Sequence, residues 1–231
     1  MLKSEETLED LNLCGYKIIQ SDNLYKFSSD AILLSRFAPK VRGEAADFCS
    51  GSGIVGLHYY AVVKDEDEEL SKKIKVDLFE IQKELSSMAD RSIKLNGLEG
   101  IFTAYNMPLQ AIPEEFNGKY SLILCNPPYK KNFSGEKNQS EHLAICRHEI
   151  KITLEEIIKI SALKLKRGGK LCLCQRTERL TDILCLMRKY GLEPTRLQLV
   201  TAGQGKKPYL VLAEGTKGVK PQLKVLPDIH N

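Results

Sequence analysis

The chain has 231 residues, 42% hydrophobic and 28% charged, with a formal net charge of +4. That is an ordinary globular balance, enough for one large domain or two small ones. No apolar stretch approaches the roughly 20 residues that span a bilayer, and the acidic start MLKSEETLED lacks the apolar core of a secretory signal, so a cytoplasmic protein is expected. The seven cysteines (14, 49, 125, 146, 172, 174 and 185) are odd in number and lack C-x-x-C spacing. This argues against a disulfide framework or structural metal site and suits free thiols in a reducing compartment. Charge is uneven: residues 1–129 carry 14 Lys/Arg against 20 Asp/Glu, and residues 130–231 carry 20 against 10. A basic half fits either a polyanion footprint or scattered solvated lysines.

In chain order, Tyr16 to Gln20 and Leu24 to Phe27, joined by Asp22-Asn23, read as a hairpin, followed by an amphipathic helix over Asp30 to Phe37. These form an N-terminal extension, residues 1–43, ahead of a domain over 44–231. Glu44 to Phe48 reads as the first strand of that domain and Gly53 to Val63 as a helix. The charge block Lys64 to Glu69 reads as a solvated loop. A second strand spans Ile74 to Phe79, and a helix runs from Lys83 to Asn96 with Gly97 as its stop. Ile101 to Tyr105 and Tyr120 to Cys125 are the third and fourth strands. Thr153 to Arg167 is a helix opened by a capping box and closed by Gly168-Gly169. A fifth strand covers Lys170 to Gln175 and a helix Thr177 to Tyr190. Pro194 to Thr201 and Pro208 to Glu214 are the last strands, with no helix between them, so one runs antiparallel. Alternating strands and helices predict an α/β fold with a mostly parallel sheet.

Two motifs carry chemistry. Asp47-Phe-Cys-Ser-Gly51-Ser-Gly53-Ile-Val-Gly56 places G-x-G-x-x-G between a strand and a helix, and Glu80 ends the next strand, suited to a ribose diol. The pattern fits a nicotinamide dinucleotide or an adenosyl-methionine pocket. Asp47 would repel a pyrophosphate but tolerate a cationic amino acid. Asn126-Pro127-Pro128-Tyr129 then ends a buried strand. Two prolines fix the turn and remove amide donors. The tip therefore offers carbonyl acceptors, including the Asn126 side chain, and Tyr129 adds a stacking face. Acceptors on the hydrogens of a conjugated amine draw its nitrogen toward a tetrahedral shape and aim its lone pair at an electrophilic methyl group.

These residues resemble the N6-adenine and amide-nitrogen branch of the class I S-adenosylmethionine-dependent methyltransferases. Tyr25-Lys-Phe-Ser-Ser-Asp30-Ala-Ile-Leu-Leu34 is similar to the opening segment of the bacterial tRNA1(Val) (adenine(37)-N6)-methyltransferases, as are Arg147-His148-Glu149, Gln175 to Leu180, Lys217-Gly218 and Leu223 to Pro227. The resemblance spans nearly the whole chain. It implies a Rossmann-like sheet of seven strands, one antiparallel, with helices on both faces. It implies S-adenosylmethionine as cofactor, a tRNA substrate, no metal, no membrane and a monomer. Asp47, Cys49, Gly51, Gly53, Glu80 and Ile81 would surround the cofactor, with Phe27 and Asp30 closing over it. Asn126 would lie beside it and, with the Pro127 carbonyl, hold the target nitrogen. Pro128, Tyr129, Lys130, Lys131, Arg147 and His148 would meet the substrate, although His148 also fits a helix-capping role. His58 and Tyr59 read as packing. Asn106 departs from the family's usual aspartate; its amide oxygen would accept the same bond from the cofactor adenine. The basic segment Gly203 to Lys207 fits either an RNA contact or a hairpin turn.

Other readings are a protein glutamine-amide methyltransferase, a DNA adenine methyltransferase, or a non-catalytic nucleotide- or RNA-binding module. About 43 residues precede the first strand, few for the additional domain the first two usually carry. The intact loop, acid and tetrapeptide speak against the third.

Overall fold

The computed structural model describes residues 2–21, 23–24, 29–127 and 151–231. Strands β1 (Glu6–Asp10) and β2 (Lys17–Ser21) form an antiparallel hairpin and lead to helix α1 (Ser29–Phe37). Then come β3 (Gly43–Phe48), α2 (Ile54–Glu66), α3 (Glu68–Ser71), β4 (Ile74–Glu80), α4 (Lys83–Leu95), β5 (Phe102–Asn106) and β6 (Tyr120–Cys125). After residue 150 the chain continues as α5 (Leu154–Lys164), β7 (Leu165–Arg176), α6 (Leu180–Lys189), β8 (Leu192–Thr201) and β9 (Pro208–Lys217). Two short strands, β10 (Lys224–Val225) and β11 (Ile229–His230), close it.

The sheet order is β10-β8-β9-β7-β6-β3-β4-β5, with β11 also on β8. Only β9 runs against its neighbours, pairing antiparallel with β7 and β8; the other pairs are parallel. The seven long strands match the expected sheet, and β10 and β11 extend its edge. Both faces are buried, as the near-continuous apolar strands require. Side chains alternate between two cores. Ala45, Leu122, Leu124, Cys172 and Cys174 face α1, α2 and α4. Ala46, Phe48, Ile123, Cys125, Leu171 and Leu173 face α5, α6 and the β5–β6 connection. Glu214 of β9, 1% exposed, accepts bonds from Lys170 Nζ at 2.9 Å, Thr195 Oγ1 at 2.6 Å and Arg196 Nε at 2.8 Å. A buried carboxylate with that many donors ties the antiparallel strand to both neighbours.

One strand is added and two expectations are corrected. β2 pairs with β1, a strand not expected from the sequence, and Asn12, Cys14 and Gly15 turn between them with positive φ. The expected partner strand, Leu24 to Phe27, lies largely outside the described residues. The charge block is helical rather than looped. α2 runs on to Glu66, and Asp67 caps α3 by accepting the Leu70 N–H at 2.9 Å, a carboxylate favoured at a helix N-terminus. Second, α5 ends at Lys164, short of Gly168-Gly169. Those glycines serve β7: a Cβ at Gly169 would lie 2.7 Å from the Tyr120 carbonyl oxygen, where the β6–β7 register shifts between Tyr120 and Leu122. Elsewhere Thr153 and Glu156 form the expected capping box, and Gly97 turns left-handed after α4.

Candidate active site

Strands β3 through β8, all running one way, end on one edge of the sheet, where ligands sit in open α/β folds. β3 and β6 are central neighbours, with Phe48 paired to Cys125, so the glycine loop and the Asn126-Pro127 tip emerge side by side. The loop is held by Ser50 N–H to the Phe79 carbonyl at 3.0 Å and Gly53 N–H to the Ser50 carbonyl at 2.8 Å. Cys49, Gly51 and Gly53 all have positive φ. At Gly53 a Cβ would also meet Leu78 Cδ1 at 3.0 Å, whereas at Gly51 it would meet nothing within 4 Å among the described residues. Gly51 thus has an open side among them. Gly56 lets α2 approach the sheet, because a Cβ there would fall 2.7 Å from Leu78 Cδ2.

Asp47 lies fully buried beneath the loop. Its Oδ2 accepts the Gly56 N–H at 2.9 Å, and its Oδ1 has no partner among the described residues. Burial pushes its carboxyl up to about 8, and the nearby Glu80 charge adds to the shift. Glu80 ends β4 and brackets two turns, its Oε2 accepting Gly51 N–H at 2.9 Å and its Oε1 accepting Gln82 N–H at 2.8 Å. Burial raises this carboxyl too. Two carboxyls held in low dielectric, one with an oxygen lacking a partner among the described residues, are poised to ionise beside a cation and to accept from hydroxyl donors.

Asn106 closes the side of the site. Its Nδ2 donates to the Glu80 carbonyl at 2.9 Å and the Ile81 carbonyl at 3.0 Å. Both amide hydrogens go to the end of β4, and the side-chain oxygen is the atom left for a ligand. An aspartate there would set a carboxylate against two carbonyls, so the amide suits this chain. Ile81 is 38% exposed beside it, a flat apolar neighbour for a ring.

The structure brings Asp47, Cys49, Gly51, Gly53, Glu80, Ile81, Asn106, Asn126 and Pro127 to one edge. Asp30 is buried in the first turn of α1. Phe27, Pro128, Tyr129, Lys130, Lys131, Arg147 and His148 lie outside the described residues. His58 and Tyr59 pack, as expected: His58 Nδ1 meets Ser35 Oγ at 2.7 Å, and Tyr59 Oη bridges the Val41 N–H and the Pro39 carbonyl. Sequence reasoning missed several neighbours. Gln20 Nε2 of β2 donates to Ser52 Oγ in the glycine loop at 2.7 Å. Ser50 Oγ is buried without a partner among the described residues. Cys174 Sγ donates to Asn126 Oδ1 at 3.0 Å. Only pairing register could have revealed that last contact, since Cys125 faces Leu173 and the next residues are Asn126 and Cys174.

A family model described as methyltransferase small domain matches residues 26–189. The chain belongs to this family. The methyltransferase is 22% identical over 217 residues to a tRNA1(Val) (adenine(37)-N6)-methyltransferase of Flavobacterium psychrophilum, covering 91% of this chain and 88% of that protein. A protein of the same description from a Shewanella species is 23% identical, covering 95% and 86%. Among solved structures, P. horikoshii TYW2 in complex with MeSAdo superposes with a TM-score of 0.64 at 15% identity, covering 94% of this chain and 73% of that one. The fold is the Rossmann-like methyltransferase fold, and the enzyme depends on S-adenosylmethionine.

The residues fit that cofactor. Asp47 Oδ1, buried without a partner among the described residues, and the open side of Gly51 provide a recess for an amino acid end, where a neighbouring ammonium would favour the ionised carboxylate. Glu80 and the Asn106 oxygen follow along the same edge. Among the described residues no group of His, Cys, Asp and Glu could hold a metal, and no helix is long and apolar enough to cross a membrane.

Proposed function

We propose that this enzyme transfers a methyl group to the N6 amine of an adenine in RNA, adenine 37 of a tRNA anticodon loop. The observation that carries the reading is the adjacency of the Asn126-Pro127 tip to the glycine loop on the central strand pair. When bound, the cofactor supplies an electrophilic methyl group on a sulfonium. Asp47 receives the ammonium of its amino acid part, Glu80 the ribose hydroxyls and Asn106 the adenine amine. Asn126 Oδ1 and the Pro127 carbonyl accept the two N–H bonds of the target amine, aiming its lone pair in line. No base is required: the methylated nitrogen is acidic and loses its proton to water. Tyr129 stacks on the target base, while Pro128, Lys130, Lys131, Arg147 and His148 meet the RNA.

The naming of relatives aligned over about nine-tenths of the chain as tRNA1(Val) (adenine(37)-N6)-methyltransferases supports the substrate assignment. A splayed-out base stacked on an aromatic ring is the usual mode for single-stranded RNA and for base chemistry. Sheet topology adds a path for phosphates. Because β9 alone is antiparallel, the β8–β9 turn, with exposed Lys206 and Lys207, lies on the edge that carries Asn126, as does Arg176 at the end of β7. On this reading the protein works as a cytoplasmic monomer, with residues 1–43 bracing the cofactor side and residues 44–231 forming the catalytic domain.

The test uses labelled S-adenosylmethionine and unmodified tRNA transcripts. The full chain is expected to label transcripts carrying adenine 37, with the product mapped to N6. Asn126→Ala should lower transfer by at least about a hundredfold while S-adenosylhomocysteine affinity holds. Absence of label in any tRNA, or a fully active Asn126→Ala, overturns the reading.

A further inference from the structure

The last contact of β7 with the site has no part in the reading so far. Cys174 is fully buried, and its Sγ lies 3.0 Å from Asn126 Oδ1. Its neighbours in the first core are apolar, Cys172, Leu122 and Leu124 among them. The placement follows from register: Leu124 pairs with Cys172 and Cys125 with Leu173, so one further step sets Asn126 against Cys174 on the same face. We infer that Cys174 is a positioning residue that orients the Asn126 amide toward the substrate amine. This rests on the proposed role of Asn126.

An asparagine amide has two orientations of similar shape, with oxygen and nitrogen exchanged. Turned the wrong way, it would set N–H donors against the N–H donors of the target. A thiol is a weak donor to oxygen and a weak acceptor of N–H bonds. Placed against the amide, its hydrogen favours oxygen on that side. A carbonyl oxygen accepts along two lone-pair directions. The thiol occupies one and so fixes the direction of the other. Cys174 is placed behind the amide rather than on the reacting groups, and its influence on transfer passes through Asn126.

The test compares Cys174→Ala, Cys174→Val and Cys174→Ser in the full chain with Asn126→Ala and wild type. Alanine leaves a cavity, valine fills most of the space without a donor, and serine restores a donor. Thermal melting checks each fold. Transfer to the unmodified transcript is expected to fall about five- to tenfold in kcat for alanine and valine. KM for the transcript and affinity for S-adenosylhomocysteine should stay within twofold, and serine should recover most of kcat. Without any ligand, the side-chain NH2 resonances of Asn126 should shift in alanine and valine and return toward wild type in serine. Wild-type kcat and unmoved resonances in both donor-less variants overturn the inference while an inactive Asn126→Ala leaves the reading intact. An active Asn126→Ala overturns the reading and the inference together.

Discussion

Asp47 shows how one residue can set the energetics of the site. Its burial was hidden in the string D-x-x-S-G-S-G, which identified a carboxylate near the loop but not that one oxygen would be left without a partner. In the ligand-free protein its carboxyl sits at about 8, above the ordinary aspartate value near 4. The folded protein therefore holds a proton that the unfolded chain gives up, and this residue's share of stability falls as pH rises from about 4 to 8. A neighbouring ammonium favours the anion, so ligand binding should expel that proton. Affinity for S-adenosylhomocysteine is expected to rise by up to about tenfold per pH unit below 8 and to level off above it. Calorimetry in buffers of differing ionisation enthalpy should record close to one proton released near pH 7. A flat affinity between pH 6 and 8 with no release would remove Asp47 from the ammonium site. Asn106 carries the complementary lesson. The substitution was visible in the sequence, but its purpose, bracketing two carbonyls at the end of β4, emerged only with the fold.

The elements that composition could identify are those whose signal is apolar. β6 and the core of β7 announced themselves as short runs without charge, β3 and β4 as short runs in which apolar residues outnumber the charged ones, and α4 by its striped face and glycine stop. β1 did not, because Glu6-Thr-Leu-Glu-Asp10 is half acidic and reads as loop. Tertiary contacts make it a strand. Arg91 of α4 forks onto Glu6, with Nη1 to Oε2 at 2.6 Å and Nη2 to Oε1 at 2.5 Å. This holds the Glu6 carboxyl at about 2, chiefly through that hydrogen bonding. β2 is tied to the same helix, the Ile19 N–H donating to Ser92 Oγ and Asn96 bonding both the N–H and the carbonyl of Lys17. Since β2 also reaches Ser52 in the glycine loop, the hairpin braces the cofactor side. Replacing Arg91 by Met should cost about 1 kcal/mol, discounted for the solvent near the pair, and lower Tm by about 2–4 °C. The depressed Glu6 value sets the sign with pH: the contribution is whole above about 4.5 and fades as pH falls toward 2. The Tm gap between wild type and Arg91→Met should therefore close in acid, and a gap unchanged at pH 3 would mean the pair contributes nothing.

Across the whole molecule, topology gathers what sequence keeps apart. Lys206 and Lys207 stand some 80 residues beyond Asn126, and in sequence they were equally a turn or a contact. One antiparallel strand decides their place. Because β9 returns between β7 and β8, the turn before it joins the same edge as the glycine loop and the Asn126 tip, while α2 runs away from that edge and carries its charged last turn and α3 toward the other. The lopsided charge of the sequence thus gains a direction, with the basic C-terminal half supplying part of the edge that would meet a phosphate backbone in the proposed function. If RNA lies along it, each lysine that meets a phosphate releases a condensed counterion, and the slope of log K against log salt steepens by about 0.7 per contact for a single strand. Lys206→Ala/Lys207→Ala should weaken tRNA binding by a similar factor for every tRNA tested and flatten the salt slope by about one to two. S-adenosylhomocysteine affinity and kcat at saturating RNA should be untouched. The comparison to make is the slope itself, because a lost phosphate contact changes the salt dependence and a disturbed fold does not. An unchanged slope would leave the turn a plain hairpin and move the RNA path to the other side of Asn126.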